Sequence, residues 1–171
     1  MSYHNPQENP VITAGYPGTA GLTPAARRAL RRTLDPEDVE RAVTLLCAEA
    51  AGLTLDREIF RRAAPVGLRS VFAVALTGED VSPNGENYRV FAFRVTGRDE
   101  NAARLHQRFA QIRAGLPAEE FVSVSSSRIA RTVHFAGCRS EKGVVFDQSA
   151  ERGSVAATGV LELKFQVCIA P

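Results

Sequence analysis

A glycine between a strand and a helix is the first place in this sequence where binding chemistry could occur. The stretch "FAFRVTGRDENAARL" has Gly97 in that position, and backbone N–H groups at a helix N-terminus bind phosphate. A dinucleotide fingerprint needs three glycines, whereas this stretch has one and no GKT or GKS follows it. Asp99 also places a carboxylate where the phosphate would lie. The sequence therefore predicts a structural turn, with Asp99 as the N-cap of the following helix.

The residue types that usually catalyse reactions are scattered along the chain. His4, His106 and His134 lack the HExxH, HxH or Cys/His spacing of a metal site. The serines of "SVSSS" (123–127) lack the GxSxG turn of a nucleophilic serine, and the carboxylates near the loops show no acid–base spacing. The sequence thus predicts no metal, no cofactor and no enzyme active site.

Length and composition are those of an ordinary soluble domain. The chain has 171 residues, of which 44% are hydrophobic and 23% are charged, and its net charge is +2. That charge is too weak to indicate nucleic acid or an anionic membrane by itself. No apolar run approaches the roughly 18 residues of a membrane helix, so no membrane contact is expected. Three cysteines without a CxxC pair favour a reducing compartment.

Helix signals are clearest in two places. Asp35-Pro36 is a strong start signal, and the apolar spacing from Val39 to Ala50 predicts a helix that ends at Gly52. A second apolar stripe predicts a helix from Asp99 to about Gly115. Thr23-Pro24 starts a weaker signal for a short basic helix.

The remaining patterns predict strands. Alternation and β-rich composition place them at 57–62, 69–77, 88–95, 120–128, 129–137 and 158–170. Between the last two, 138–157 reads as a long loop or extended hairpin, with "GVVF" (143–146) paired at its base. The predicted fold class is α+β: an antiparallel sheet with two main helices packed on it, plus an extended N-terminal arm.

The domain boundary is expected near residue 34. Residues 1–22 carry so many prolines and glycines that no helical or strand period survives. We therefore expect residues 1–34 to form an arm that lies on a neighbouring molecule, and residues 35–171 to form one α+β domain.

The element order resembles that of tailed-phage tail terminators and minor capsid, or head–tail joining, proteins. The likeness is carried by the block "YRVFAFRVTGRDENAARLHQRFAQIRAGL" and by the last strand "GVLELKFQVCI", and it extends over about residues 35–170. The long arm and the 138–157 segment depart from the compact form of that family.

The resemblance implies a structural virion protein without enzyme activity. Such a protein would form a ring, commonly hexameric, that caps the tail tube and joins it to the head or connector. It would be assembled in the host cytoplasm and located in the virion, either of a phage or of a domesticated tail-like particle. A ring of this kind needs arms or loops that reach a neighbour, and the arm and the 138–157 segment are the candidates.

The residues predicted to contact partners are two tyrosines and a set of basic side chains. Tyr3 and Tyr16 in the arm are candidate anchors on a neighbouring subunit. The basic residues that could meet an acidic neighbour or DNA phosphates in a ring lumen are Arg27, Arg28, Arg31, Arg32, Arg139, Lys142 and Arg152.

Two other functions stay open at this point. The same basic residues, with Arg128 and Arg131, would suit a non-catalytic nucleic-acid-binding module that uses the basic arm. No RNP-like, helix-turn-helix or zinc-finger motif accompanies them. An enzyme with an unrecognised site is the second alternative, and no pattern in the sequence favours it.

Overall fold

The computed structural model describes residues 35–85, 87–116, 118–125, 130–140, 142–147 and 156–168. The predicted arm lies outside these residues. The two helices are α1 (Pro36–Ala51) and α2 (Ala102–Gly115). The strands are β1 (Ile59–Arg61), β2 (Val71–Val81), β3 (Tyr88–Asp99), β4 (Glu120–Ser125), β5 (Ala130–Arg139), β6 (Val145–Asp147) and β7 (Ala157–Cys168).

All strands belong to one curled sheet with the order β1-β2-β3-β7-β5-β4, and β6 also pairs with β7. The α+β class is therefore confirmed. One detail differs from the expectation of an antiparallel sheet, because β1 pairs with β2 in parallel, which makes the sheet mixed. A strand of three residues carries too little pattern for its direction to be read from the sequence.

Two described strands border or enter the 138–157 segment, for which a long loop or extended hairpin is expected. Strand β5 pairs with β7 up to Arg139 opposite Lys164. Strand β6 then continues along the same edge of β7, with Val145 opposite Val160. The expected pairing of "GVVF" is thus confirmed for Val145 and Phe146, whereas residues 148–155 lie outside the described part of the chain.

Helix α1 begins and ends as its local signals predict. The Asp35 side chain accepts the Glu37 N–H at 2.9 Å, and Pro36 occupies the first helical position, where a missing N–H costs nothing. Gly52 ends the helix with a left-handed φ of 62°, a conformation that glycine adopts without strain. The Arg108 guanidinium of α2 donates to the Ala51 carbonyl, which joins the two helices at this point.

The hydrophobic core lies between one face of the sheet and the two helices. Alternate residues of β3 and β7 face it, among them Phe91, Phe93, Leu163 and Phe165, all essentially inaccessible to solvent. Phe109 of α2 lies over the sheet and contacts Phe72 with ring centroids 5.2 Å apart. The opposite face, called here the helix-free face, carries neither helix of the described residues.

The predicted turn at Gly97 is in fact the end of a strand. Strand β3 continues to Asp99, and Asn101 is the N-cap of α2: its side chain accepts the Arg104 N–H at 3.1 Å. The prediction that Asp99 is the N-cap was wrong. The Asp99 carboxylate instead accepts from the Asn101 N–H at 2.8 Å, the Ser70 hydroxyl at 3.0 Å and the Arg104 Nε at 2.6 Å, so it ties β2, β3 and α2 together.

Gly97 has a packing role. It lies directly opposite Gly159 of β7, and a Cβ at Gly97 would meet Phe72 Cε1 at 2.5 Å and Phe109 Cε2 at 2.9 Å. A Cβ at Gly159 would meet Phe109 Cε2 at 2.6 Å. The two glycines form a notch in the sheet that the Phe109 ring fills, so no phosphate could approach Gly97 from this face.

Candidate functional site

Most of the residues predicted to contact partners lie outside the described residues. Both tyrosines and the four arginines of the arm lie outside them, as does one basic residue after β6. These residues are Tyr3, Tyr16, Arg27, Arg28, Arg31, Arg32 and Arg152. Of the predicted set, Arg139 and Lys142 are described. Arg139 ends β5 and Lys142 lies in the connection to β6, and both are exposed. The partner roles of all these residues stay predictions.

The described histidines occupy separate sites. His106 of α2 stacks on Phe146 of β6 with ring centroids 3.8 Å apart. His134 of β5 lies 3.0 Å from a Glu119 oxygen and stacks on Phe121 of β4. Within the described ranges no group of His, Cys, Asp and Glu is arranged to hold a metal ion.

The described thiols are poorly suited to nucleophilic chemistry. Burial raises the pKa of the Cys47 thiol to about 12, with a smaller contribution from nearby Cys138. Burial alone raises the pKa of Cys138 to about 12. Because the thiolate is the reactive form of cysteine, neither the buried Cys47 nor the partly buried Cys138 is an activated nucleophile.

The curl of the sheet brings its two outermost strands to the same helix. Strands β1 and β4 both contact α1, and between them lies a cavity of about 390 Å³, called here the seam. Its walls are formed by α1, by the turn and strand around β1, and by β4; they comprise Arg41, Thr44, Leu45, Leu55, Asp56, Arg61, Ser123 and Val124. Among the described residues β4 has a strand partner on one side only. On the outer side of β1, the Ile59 carbonyl accepts the Asp56 N–H at 2.9 Å and Ile59 bridges to Leu55, so the seam is bordered by the open edge of β4 and the partly occupied edge of β1.

An ion-pair network adjoins the seam, because Glu37 lies 3.3 Å from Arg41 and 3.8 Å from Arg61, which both line it. Arg62 donates to Glu37 at 2.5 Å and to Glu40 at 3.0 Å. Glu40 also accepts the Leu76 N–H at 3.2 Å, at the point where a β-bulge interrupts the pairing of β2. The hydrogen bond and the charge of Arg62 lower the pKa of Glu37.

Arg61 lies in the same network but is incompletely bonded. Its Nη1 atom is 3.8 Å from Glu37 Oε2, too far for a hydrogen bond, and this buried atom has no other hydrogen-bond partner among the described residues. Leu55, on the outer side of the seam, exposes 42% of its surface. The seam thus combines an exposed apolar side chain, strand edges and a guanidinium.

A second concave site lies on the helix-free face. It has a volume of about 190 Å³ and is lined by Pro83, Asn84, Val90, Gly137, Cys138, Arg139, Lys164 and Gln166. Arg139 and Lys164 are directly opposite one another on β5 and β7. We call this site the Arg139–Lys164 pocket.

Sequence reasoning found some of these residues and missed others. The alternation of β7 places Lys164 on the polar face, and Arg139 was among the predicted contacts. The seam was missed because its residues come from α1, β1 and β4, which are far apart in the chain and share no local motif. In the sequence, the one feature that could have indicated the seam is Leu55, an apolar residue among turn-forming and charged residues.

The comparisons with known proteins gave matches among solved structures but none by sequence. The sequence matches no protein-family model and no curated protein. Among the solved structures that align with it is a chain from the virion of a native gene transfer agent (GTA) particle, which is 14% identical in sequence. The likeness covers 80% of this chain and 98% of that chain, with a TM-score of 0.48. In the described residues, no helix is long and apolar enough to cross a membrane.

Proposed function

We propose that this protein is a structural virion protein of the tail-terminator type, which assembles into a ring through the seam. The ring, commonly a hexamer in that family, would cap the tail tube and join it to the head or connector, and it would have no enzyme activity. The proposal is based on the seam, a cavity that lies between α1 and the two outermost strands of the sheet. The proposal rests on this surface and on the element order, not on the likeness to the gene transfer agent chain.

The seam suits an extended peptide segment. Unpaired strand edges offer a row of N–H and C=O groups that recruit another strand, and strand addition at an exposed edge is a common mode of peptide recognition. Between the two edges, α1 presents Thr44 and Leu45. The buried Nη1 atom of Arg61 lacks a hydrogen-bond acceptor, which a main-chain carbonyl of such a segment could supply after a small side-chain movement.

The occupant that we assign to the seam is the N-terminal arm of a second copy. Residues 1–34 precede α1, and a chain of that length spans up to about 110 Å when extended. The arm joins α1 at Asp35, and Glu37 in the first turn contacts Arg62 beside the seam. A subunit that offers both an arm and a seam has the two different surfaces that a heterologous ring requires.

Light scattering coupled to size exclusion tests this proposal. We expect the full chain to form a closed oligomer and a variant lacking residues 1–22 to be monomeric. Leu55→Glu, at the seam, should also prevent assembly, because it places a charge where the neighbour's segment lies. Val81→Glu is the matched control, since Val81 is even more exposed, at 62%, and does not line the seam.

Two results would overturn the proposal. A full chain that stays monomeric at high concentration, also with tail-tube and connector proteins added, would exclude the ring. Unchanged assembly after removal of residues 1–22 would exclude the arm as the linking segment and leave the 138–157 segment as the remaining candidate.

A further inference from the structure

The guanidinium groups that line the seam are already paired with carboxylates. Arg41 contacts Glu37 at 3.3 Å and Asp38 at 3.1 Å, and Arg61 lies 3.8 Å from Glu37 and 3.7 Å from Glu40. A segment that enters the seam therefore need not bring a charge. The Arg61 Nη1 atom still lacks a hydrogen-bond acceptor among the described residues, and a neutral main-chain carbonyl supplies one without changing the charge balance.

The seam also offers apolar surface and an open strand edge. Leu45, Leu55 and Val124 supply the apolar surface, and β4 has a strand partner on one side only among the described residues. Asp56, which lines the seam and is exposed, disfavours an incoming carboxylate. These surfaces together suit a segment that is extended, apolar and uncharged.

One stretch of the arm has this composition. Residues 10–13, "PVIT", carry no charge, and their last three side chains form the longest β-branched run in the arm. Such side chains favour the extended strand conformation. Pro10 lacks an N–H, which a strand tolerates at its first position. By contrast, residues 25–34 carry four arginines, which would place positive charge against the guanidiniums of the seam.

The position of this stretch in the chain lets it reach a neighbouring subunit. The chain from Thr13 to Asp35 spans up to about 75 Å when it is extended. A globular domain of the size of residues 35–171 is roughly 40 Å across. A residue nearer to α1, such as Leu22, reaches only about 45 Å. Residues 10–13 therefore extend well past one subunit, whereas the end of the arm next to α1 hardly does.

We propose that residues 10–13 of the arm enter the seam of a second copy and add a strand to the open edge of β4. The main chain of the segment pairs with β4, its side chains cover Leu55 and Val124, and one of its carbonyl groups accepts from Arg61. This inference rests on the proposed function, because it names the part of the arm that makes the ring contact.

Light scattering on full-length variants is the first test. Ile12→Asp should prevent assembly, because it places a carboxylate against the apolar wall and close to Asp56. Thr19→Asp is the matched control, since it adds the same charge to the arm outside the proposed segment. This variant should assemble like the parent chain.

A labelled peptide with the sequence of residues 6–20 tests where the segment binds. Full-length Ile12→Asp protein should bind this peptide, since its own arm no longer competes for the seam, and fluorescence anisotropy measures the affinity. Adding Leu55→Glu should weaken binding at least about tenfold. Adding Val81→Glu instead should have no effect, because Val81 does not line the seam. No binding at about 1 mM peptide, or equal binding by the two double variants, would overturn the proposal.

N-methylated peptides distinguish strand addition from apolar contact alone. Successive residues of a strand direct their N–H groups to opposite sides, so only one of Val11 and Ile12 donates to β4. Methylation of that N–H should weaken binding up to about tenfold, and methylation of the other should have little effect. Equal affinities of the two methylated peptides would overturn pairing with β4.

The segment and the ring fail in different ways. If the parent chain assembles and Ile12→Asp assembles equally well, the assignment of residues 10–13 is wrong and the ring stands. If the parent chain stays monomeric although the Ile12→Asp protein binds the peptide, the ring and the second copy are excluded. The segment then belongs to the seam of its own chain.

Discussion

The two faces of the sheet use glycine in opposite ways. On the packed face, Gly97 and Gly159 lie opposite one another, and the space above them is filled by Phe109. On the helix-free face, Gly137 also lacks a side chain, but the space beside it is open and bordered by Arg139 and Lys164. The first arrangement holds a helix on the sheet, and the second leaves a concave surface with charge.

This contrast shows why a glycine at a strand-to-helix connection is a weak signal for ligand binding. The absent side chain leaves space in both places. The neighbouring side chains determine whether that space is filled by the core or stays open at the surface. Near Gly97 the neighbours are aromatic and buried, so the room belongs to the core. Near Gly137 they are cationic or amide groups at the surface, so the space stays open to solvent.

The largest expected effect concerns the aromatic ring that fills the notch. Phe109→Ala should destabilise the fold by about 3–5 kcal/mol, because it leaves a cavity over both glycines. Phe121→Ala, the same substitution on β4, should cost less than about 1 kcal/mol, because half of the Phe121 side chain is already in solvent. Urea unfolding of both variants measures the difference. Similar costs would mean that Phe109 does not anchor α2 to the sheet.

A smaller effect is expected when the glycines themselves are changed. Gly97→Ala should cost about 1–3 kcal/mol, because its Cβ would lie 2.5 Å from a Phe72 carbon and force the core apart. Gly137→Ala should be neutral or slightly stabilising, since the new methyl group meets no atom and glycine is unfavourable in a strand. Urea unfolding of both variants measures the two costs, and equal costs would remove the distinction between the two faces.

Sequence reasoning succeeded where signals are local. The bounds of α1 follow from Asp35, Pro36 and Gly52, which act within one turn of their own positions. The start of α2 was misplaced because Asp99 and Asn101 are both good capping residues. The choice between them depends on Ser70 and Arg104, which hold Asp99 in the strand, and Ser70 is remote in sequence.

The candidate sites could not be predicted as well from the sequence. The alternation of β7 predicts which face carries Lys164, but its position opposite Arg139 depends on a β-bulge between Phe135 and Gly137. A bulge of one residue shifts every later pairing, and the sequence pattern around Gly137 does not specify it. The seam depends on the curl of the whole sheet, which no local segment encodes.

The smallest effect concerns a hydrogen bond at the border of the packed face. Burial by itself would raise the pKa of Asp99, but the hydrogen bonds from Arg104, the Asn101 N–H and Ser70 outweigh it and lower the pKa below the ordinary value. A lowered carboxyl pKa stabilises the fold above the unfolded pKa of about 3.9. That contribution is lost as the pH falls through the folded value.

Ser70→Ala removes one of these hydrogen bonds. It should cost about 1 kcal/mol at pH 7, and this cost should shrink as the pH falls through the lowered pKa of folded Asp99, where the carboxylate becomes protonated. Ser82→Ala is the matched control near the Arg139–Lys164 pocket, because the Ser82 hydroxyl accepts an uncharged N–H from Asn84 at 3.1 Å. Its cost should not change with pH. Urea unfolding at a series of pH values from 7 downward compares the two variants, and a cost for Ser70→Ala that stays constant through the whole series would show that Asp99 does not depend on this bond for its charge.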